Sequence, residues 1–216
     1  MWHGGVVEMS QQIAEATDIQ KKILATGIRV GTQVKTKFMH QFITKANPEG
    51  LYMLNLDMTL TRIRTAAKFI NRVGTENIIV CSAKQYAITP IEKFCEKMDA
   101  KMLVGRFMPG TLTNPSLPYY IEPKLVLISD PQMDEQAITE ATNAGIPVIG
   151  IANTDNITSN LDVIIPANNR GRKALATVYW LLVRQIMIER GQLGETDPLG
   201  FEIDDFETKI NEEDNE

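Results

Sequence analysis

Residues 105–130, GRFMPGTLTNPSLPYYIEPKLVLISD, decide how the chain is read. The first half is polar and broken by Gly105, Pro109, Gly110, Pro115 and Pro118. The end, 125–129, is a short apolar run of mostly branched residues, bounded by Pro123 before it and Asp130-Pro131 after it. That length and composition fit a strand covered on both faces, as in a parallel sheet. The loop ahead of it gathers Arg106, Phe107, Thr111, Thr113 and Asn114, a basic, aromatic and hydrogen-bonding set, where an α/β sheet exposes its working edge.

Downstream, 135–143 reads as a helix stopped by Gly145. Residues 148–151 read as a buried strand and 163–165 as a short strand stopped by Pro166. A long helix over 171–190 follows, with Leu175, Val178, Tyr179, Leu182 and Ile186 on one face. Upstream, 51–56 reads as a strand and 59–72 as a helix with Leu60, Ile63, Ala67 and Ile70 inward. Residues 78–82 form the next strand and 85–98 the next helix, where Pro90 sits in the first turn or kinks it. A short strand over 102–104 feeds the opening loop. Arg64, Lys68 and Arg72 recur four residues apart and make a basic outer stripe.

Strands alternating with helices at this spacing imply an α/β fold, a parallel sheet with helices on both faces. Right-handed crossovers then leave a flavodoxin-like topology as the commonest fit. The expected organisation is a flexible segment 1–9, one α/β domain over 10–191 that begins with a helical extension (10–25, ending at Gly27), and an acidic tail over 192–216. Phe201, Ile203, Phe206 and Ile210 are candidates for docking that tail.

The net charge of −5 conceals a division. Residues 1–194 carry 21 Lys+Arg against 17 Asp+Glu, whereas 195–216 carry 1 against 10. Binding follows the charge on a face, so a mildly basic body keeps nucleic acid among the possible partners. No run approaches the ~18 apolar residues of a membrane span, and the N-terminus lacks a basic-then-apolar signal pattern. Cys81 and Cys95 have no metal-type spacing and read as buried thiols of a reducing, cytoplasmic compartment.

Catalytic signatures are sparse. Residues 105–112 superficially resemble a phosphate-cradling loop, but Thr111 stands where Lys is needed and Leu112 where Ser or Thr is needed. No Gly-x-Gly-x-x-Gly occurs, which removes the dinucleotide fingerprint, and no nucleophile-elbow motif supports His3 or His40 as a base. Asp57, Asp130 and Asp155 each follow a predicted strand. They could form an acidic edge for a small-molecule enzyme or receiver-like switch, although capping and turn roles are the commoner use of such residues. Neither a cofactor nor a metal site is expected. Two segments stand out for charge: 28–37 with Arg29, Gln33, Lys35 and Lys37, and 168–173 with Arg170, Arg172 and Lys173. The second opens the long helix, whose amino-terminal amides already favour an anion.

The chain carries GIRVGTQ at 27–33, GRFMPGTLTN at 105–114, PKLVLISDP at 123–131, GIP at 145–147, NTD at 153–155 and IIPANN at 164–169. In that order the motifs resemble the second protein of the small ribosomal subunit, in its archaeal and eukaryotic branch, which includes the laminin-receptor precursor. The resemblance spans about residues 10–191. The bacterial branch inserts a helical hairpin where 114–124 is short here, and eukaryotic members carry long extensions beyond the point where this chain stops, so an archaeal member is expected. The resemblance implies a flavodoxin-like domain without catalysis, bound to small-subunit ribosomal RNA and neighbouring ribosomal proteins. On it, Arg29, Gln33, Lys35, Lys37, Arg106, Thr111, Thr113, Asn114, Arg170, Arg172 and Lys173 are the expected RNA-binding residues. Cations would meet phosphates, and hydroxyl and amide groups would meet sugar or phosphate oxygens.

Overall fold

The computed structural model describes residues 21–194, 197 and 199–209. Residues 21–25 are helical and end at Gly27; the rest of the helix expected from residue 10 lies outside the described residues, as does Ile210. Strands β1 (Ile43–Ala46) and β2 (Tyr52–Leu54) then pair antiparallel. They are followed by α1 (Leu56–Val73), β3 (Ile78–Ser82), α2 (Ile88–Met98), β4 (Lys101–Val104), β5 (Leu125–Ile128), α3 (Glu135–Asn143), β6 (Val148–Ala152), β7 (Val163–Pro166) and α4 (Arg172–Glu189). A short 3-10 turn, Ile203–Phe206, closes the described chain.

The main sheet is parallel, five-stranded and ordered β4-β3-β5-β6-β7. Numbered from its first strand the order is 2-1-3-4-5, the flavodoxin-like arrangement expected from the alternation. Every residue of β3, β5 and β6 is buried, because both sheet faces are covered and the strands are apolar except for Ser82.

The period-two alternation of the strands divides their side chains between two cores. Ile78, Val80, Leu125, Leu127, Ile149 and Ile151 face α1, α2 and α4, where they meet Ile70, Phe94, Tyr179 and Leu182. Ile79, Cys81, Val126, Ile128 and Val148 face the other way, onto Ala137, Ile138 and Ala141 of α3. The β4–β5 connection, 105–124, contains no helix. It covers the sheet there by inserting Leu112, which is buried, with Phe107 and Ile121 beside it. Burying such a side chain contributes about 2 kcal/mol, so the loop is part of the core as well as part of the surface.

The strand expected over 51–56 differs from the reading. It is shorter, it joins β1 in a separate hairpin, and it does not enter the parallel sheet. Asn55 ends it by accepting hydrogen bonds from the amides of Asp57 and Met58, which starts α1 at Leu56 and not at Thr59. The outer side of β2 is occupied by the 29–32 segment. The Leu54 amide donates to the Arg29 carbonyl, and the Gly31 amide to the Tyr52 carbonyl. A Cβ on Gly31 would lie 2.6 Å from the Tyr52 carbonyl oxygen and 2.5 Å from the Thr154 methyl, so only glycine fits.

Candidate nucleic-acid interface

In this topology the crevice for a ligand opens at the carboxyl ends of the strands, between β3 and β5, where the chain departs in opposite directions. Here the crevice is filled by the protein itself. Lys84, just past β3, places its Nζ 2.6 Å from Asp130 Oδ2 and 2.9 Å from the Asn169 carbonyl. Asn156 donates to the other Asp130 oxygen, and Asn169 donates to Asn156 Oδ1 and to the Ile151 carbonyl. Asp134 accepts from the Ala83 amide at 2.7 Å. Burial pushes the Asp134 carboxyl up to about 6, against the Ala83 hydrogen bond and with help from the Asp130 charge. Asp130, Asp134, Asn156 and Asn169 are all buried. The arrangement fastens the ends of four strands, β3, β5, β6 and β7, together.

The three aspartates of the acidic-edge reading are separated by this architecture. Asp130 is neutralised by Lys84, and Asp155 forms an ion pair with Arg170. Asp57 lies exposed in the first turn of α1. Among the described residues, no group of three or more His, Cys, Asp or Glu side chains could hold a metal ion.

Two polar segments flank the filled crevice. On the β6–β7 side, the 27–37 segment is sewn to the strand ends. The Thr32 amide donates to Thr154 Oγ1 at 2.9 Å, the Thr36 amide to the Thr154 carbonyl, and Asn168 Nδ2 to the Gly27 carbonyl. Asn168 Oδ1 also accepts from the amides of Arg170 and Gly171, which fixes the start of α4 next to that segment. On the β4 side, the 105–114 loop is anchored by Glu140 of α3. Its carboxylate accepts from the amides of Gly110 (2.8 Å) and Leu112 (3.2 Å), from the Thr113 hydroxyl and from Gln136. Burial alone would raise this carboxyl, but those hydrogen bonds prevail and hold it below the usual range.

The residues singled out in the sequence therefore fall into distinct states. Arg29, Gln33, Lys37, Arg106 and Arg172 are exposed and form no ion pair among the described residues. Lys35 is exposed with its Nζ 4.7 Å from the centre of the Tyr52 ring. Arg170 pairs with Asp155, and Lys173 lies 3.7 Å from Glu207 of the tail. Asn114 is exposed and uses Oδ1 to accept from the Ser116 amide. Thr113 is exposed but tied to Glu140, while Thr111 is buried and donates to the Met108 carbonyl. Sequence reasoning passed over Lys84 and Glu140. Glu140 carried a signal, since it lies within the inward stripe of Ala137, Ile138 and Ala141.

A flavodoxin-like protein whose crevice is closed, and whose flanks are anchored, basic and hydrogen-bonding, is built as a binding module. The chain belongs to the ribosomal protein S2 family, whose sequence model matches residues 23–117 and 119–188. It is 83% identical over 205 residues to small ribosomal subunit protein uS2 of Nitrosopumilus maritimus, covering 95% of this chain and 99% of that protein. The proteins of the same name from Cenarchaeum symbiosum and Thermofilum pendens are 58% and 48% identical. Those matches cover 95% and 87% of this chain, and 100% and 87% of the relatives. These relatives place the chain in the archaeal branch, as expected from the sequence.

Proposed function

We propose that the chain is a structural, non-catalytic component of the small ribosomal subunit, in the cytoplasm. It binds that subunit's RNA through the carboxyl edge of its sheet and adjoins other ribosomal proteins. The observation that carries the assignment to this edge is convergence. Segments 27–37, 105–114 and 168–173, far apart in sequence, meet the carboxyl ends of β4, β6 and β7. They expose Arg29, Lys37, Arg106 and Arg172 without carboxylate partners among the described residues. Phosphate contacts from these cations would set affinity and register, with Gln33, Lys35, Thr113, Asn114, Arg170 and Lys173 beside them. Thr111 supports the loop from beneath. The relatives that carry the name small ribosomal subunit protein support the same reading.

Charge reversal at Arg172 and Lys173 tests it. Wild-type chain should sediment with the small subunit and be released as salt rises. The double reversal should lower incorporation and reduce the salt slope of RNA binding by roughly 1 for each phosphate no longer neutralised. Unchanged incorporation and slope would remove this patch from the interface.

A further inference from the structure

One edge of the main sheet is β4, on the far side of β3 from the filled crevice. Among the described residues, β4 pairs with β3 alone. The Gly105 amide donates to the Ser82 carbonyl, so odd-numbered residues of β4 turn their backbone groups toward β3. Met102 and Val104 then turn their amide and carbonyl groups outward. Edge strands usually hide such groups under a helix, a loop, a bulge or several charges. Here Met102 is 47% exposed, and Lys101 is the only charged residue of the strand.

Beside this edge lies a groove of about 310 Å³ whose lining includes Leu103, Phe107, Tyr119, Tyr120 and Ile121. Met108 and Tyr119 expose 52% and 40% of their surfaces there. The lining contains one cation, Arg106, and no carboxylate.

We infer that the outer edge of β4 takes an extended segment of a neighbouring protein as a sixth strand. The outward backbone groups of Met102 and Val104 supply the ladder, and alternate side chains of the added strand enter the aromatic groove. Lys101 selects a segment that is apolar with an acidic flank. It also disfavours a second copy of this chain, whose antiparallel edge would bring Arg106 toward Lys101. RNA is the weaker occupant, because the groove is lined by apolar and aromatic groups with a single cation, and an outward strand edge matches another backbone.

The inference rests on the small-subunit reading, and amide hydrogen exchange over 101–105 separates the two. The full chain is compared free, bound to protein-free small-subunit RNA, and within assembled subunits. We expect the Met102 and Val104 amides to exchange rapidly in the first two states and to slow at least about tenfold in the third, as hydrogen-bonded amides do. Slowing with RNA alone would make RNA the occupant and overturn the inference, and so would rapid exchange in the subunit. A chain that never enters the subunit would overturn the functional reading and this inference with it. Met102→Pro removes one outward donor, whereas Met102→Ala keeps it. In salt-washed subunits the neighbour should be lost with the proline variant and retained with alanine; equal behaviour of the two would rule out backbone pairing.

Discussion

Lys84 and Asp130 meet at 2.6 Å across the β3–β5 crevice, and the lysine also reaches the Asn169 carbonyl at the entry to α4. The pair replaces a ligand with a strut. Both side chains are largely withdrawn from solvent, so removing one partner strands the other. Lys84→Met is expected to destabilise the fold by about 3 kcal/mol, and Lys84→Met with Asp130→Asn by less than that single change. Urea unfolding of the two variants checks it: a double variant that is weaker than the single would mean that Asp130 does not depend on Lys84.

Glu140 plays the equivalent part for the 105–114 loop, as a helix carboxylate that replaces a missing crossover helix. Glu140→Ala leaves the Gly110 and Leu112 amides without acceptors and should cost about 2 kcal/mol, with faster amide exchange through that loop. The carboxyl is held below its usual range, so its contribution is present above the unfolded value of 4.5 and is lost as pH falls through the lower folded value. Wild-type stability should therefore fall more steeply with acid than that of Glu140→Gln. Parallel acid limbs would remove the carboxylate from the account.

The strand–helix alternation was legible because apolar runs such as 78–82 and 125–128 are buried on both sides, and burial of that kind leaves a continuous apolar signature. The cation-bearing segments were legible from composition. What could not be read is how the polar residues use one another. Asp130, Asp134 and Asp155 look alike in the sequence, but their states depend on Lys84, the Ala83 amide and Arg170, at separations of 46, 51 and 15 residues. The strand at 51–56 was misplaced for a similar reason. Its apolar pattern is that of a sheet strand, whereas its partners, 43–46 and 29–32, are polar segments with no strand signature.

Asp134 gives a stability dependence of opposite sign to that of Glu140. Its folded value of about 6 lies above the unfolded 3.8, so its favourable contribution is complete below 3.8 and is lost as pH rises through 6. Asp134→Asn retains an oxygen for the Ala83 amide and removes the buried charge. The variant should be more stable than wild type above pH 6, by on the order of 2–3 kcal/mol, with the advantage vanishing toward pH 4. Thermal unfolding from pH 4 to 8 measures this, and an advantage that does not change with pH would trace to packing instead of charge.

Residues 199–209 of the acidic tail are bound to the domain. Phe206 is 1% exposed against the core of α2 and α4, and the Trp180 indole donates to the Phe201 carbonyl at 3.1 Å. The Thr208 hydroxyl also donates to the Tyr86 carbonyl. The apolar side chains thus hold 199–209 on the domain and carry Glu207 to Lys173, beside the proposed RNA-facing edge. The exposed ion pair adds little, whereas a buried phenylalanine adds much. Phe206→Ala should cost about 3 kcal/mol or more and shift Trp180 emission to the red in a Trp2→Phe background. Glu207→Gln should leave both nearly unchanged. If Glu207→Gln alone released the segment, attraction to the basic start of α4 would be what holds the tail, and burial of Phe206 would be secondary.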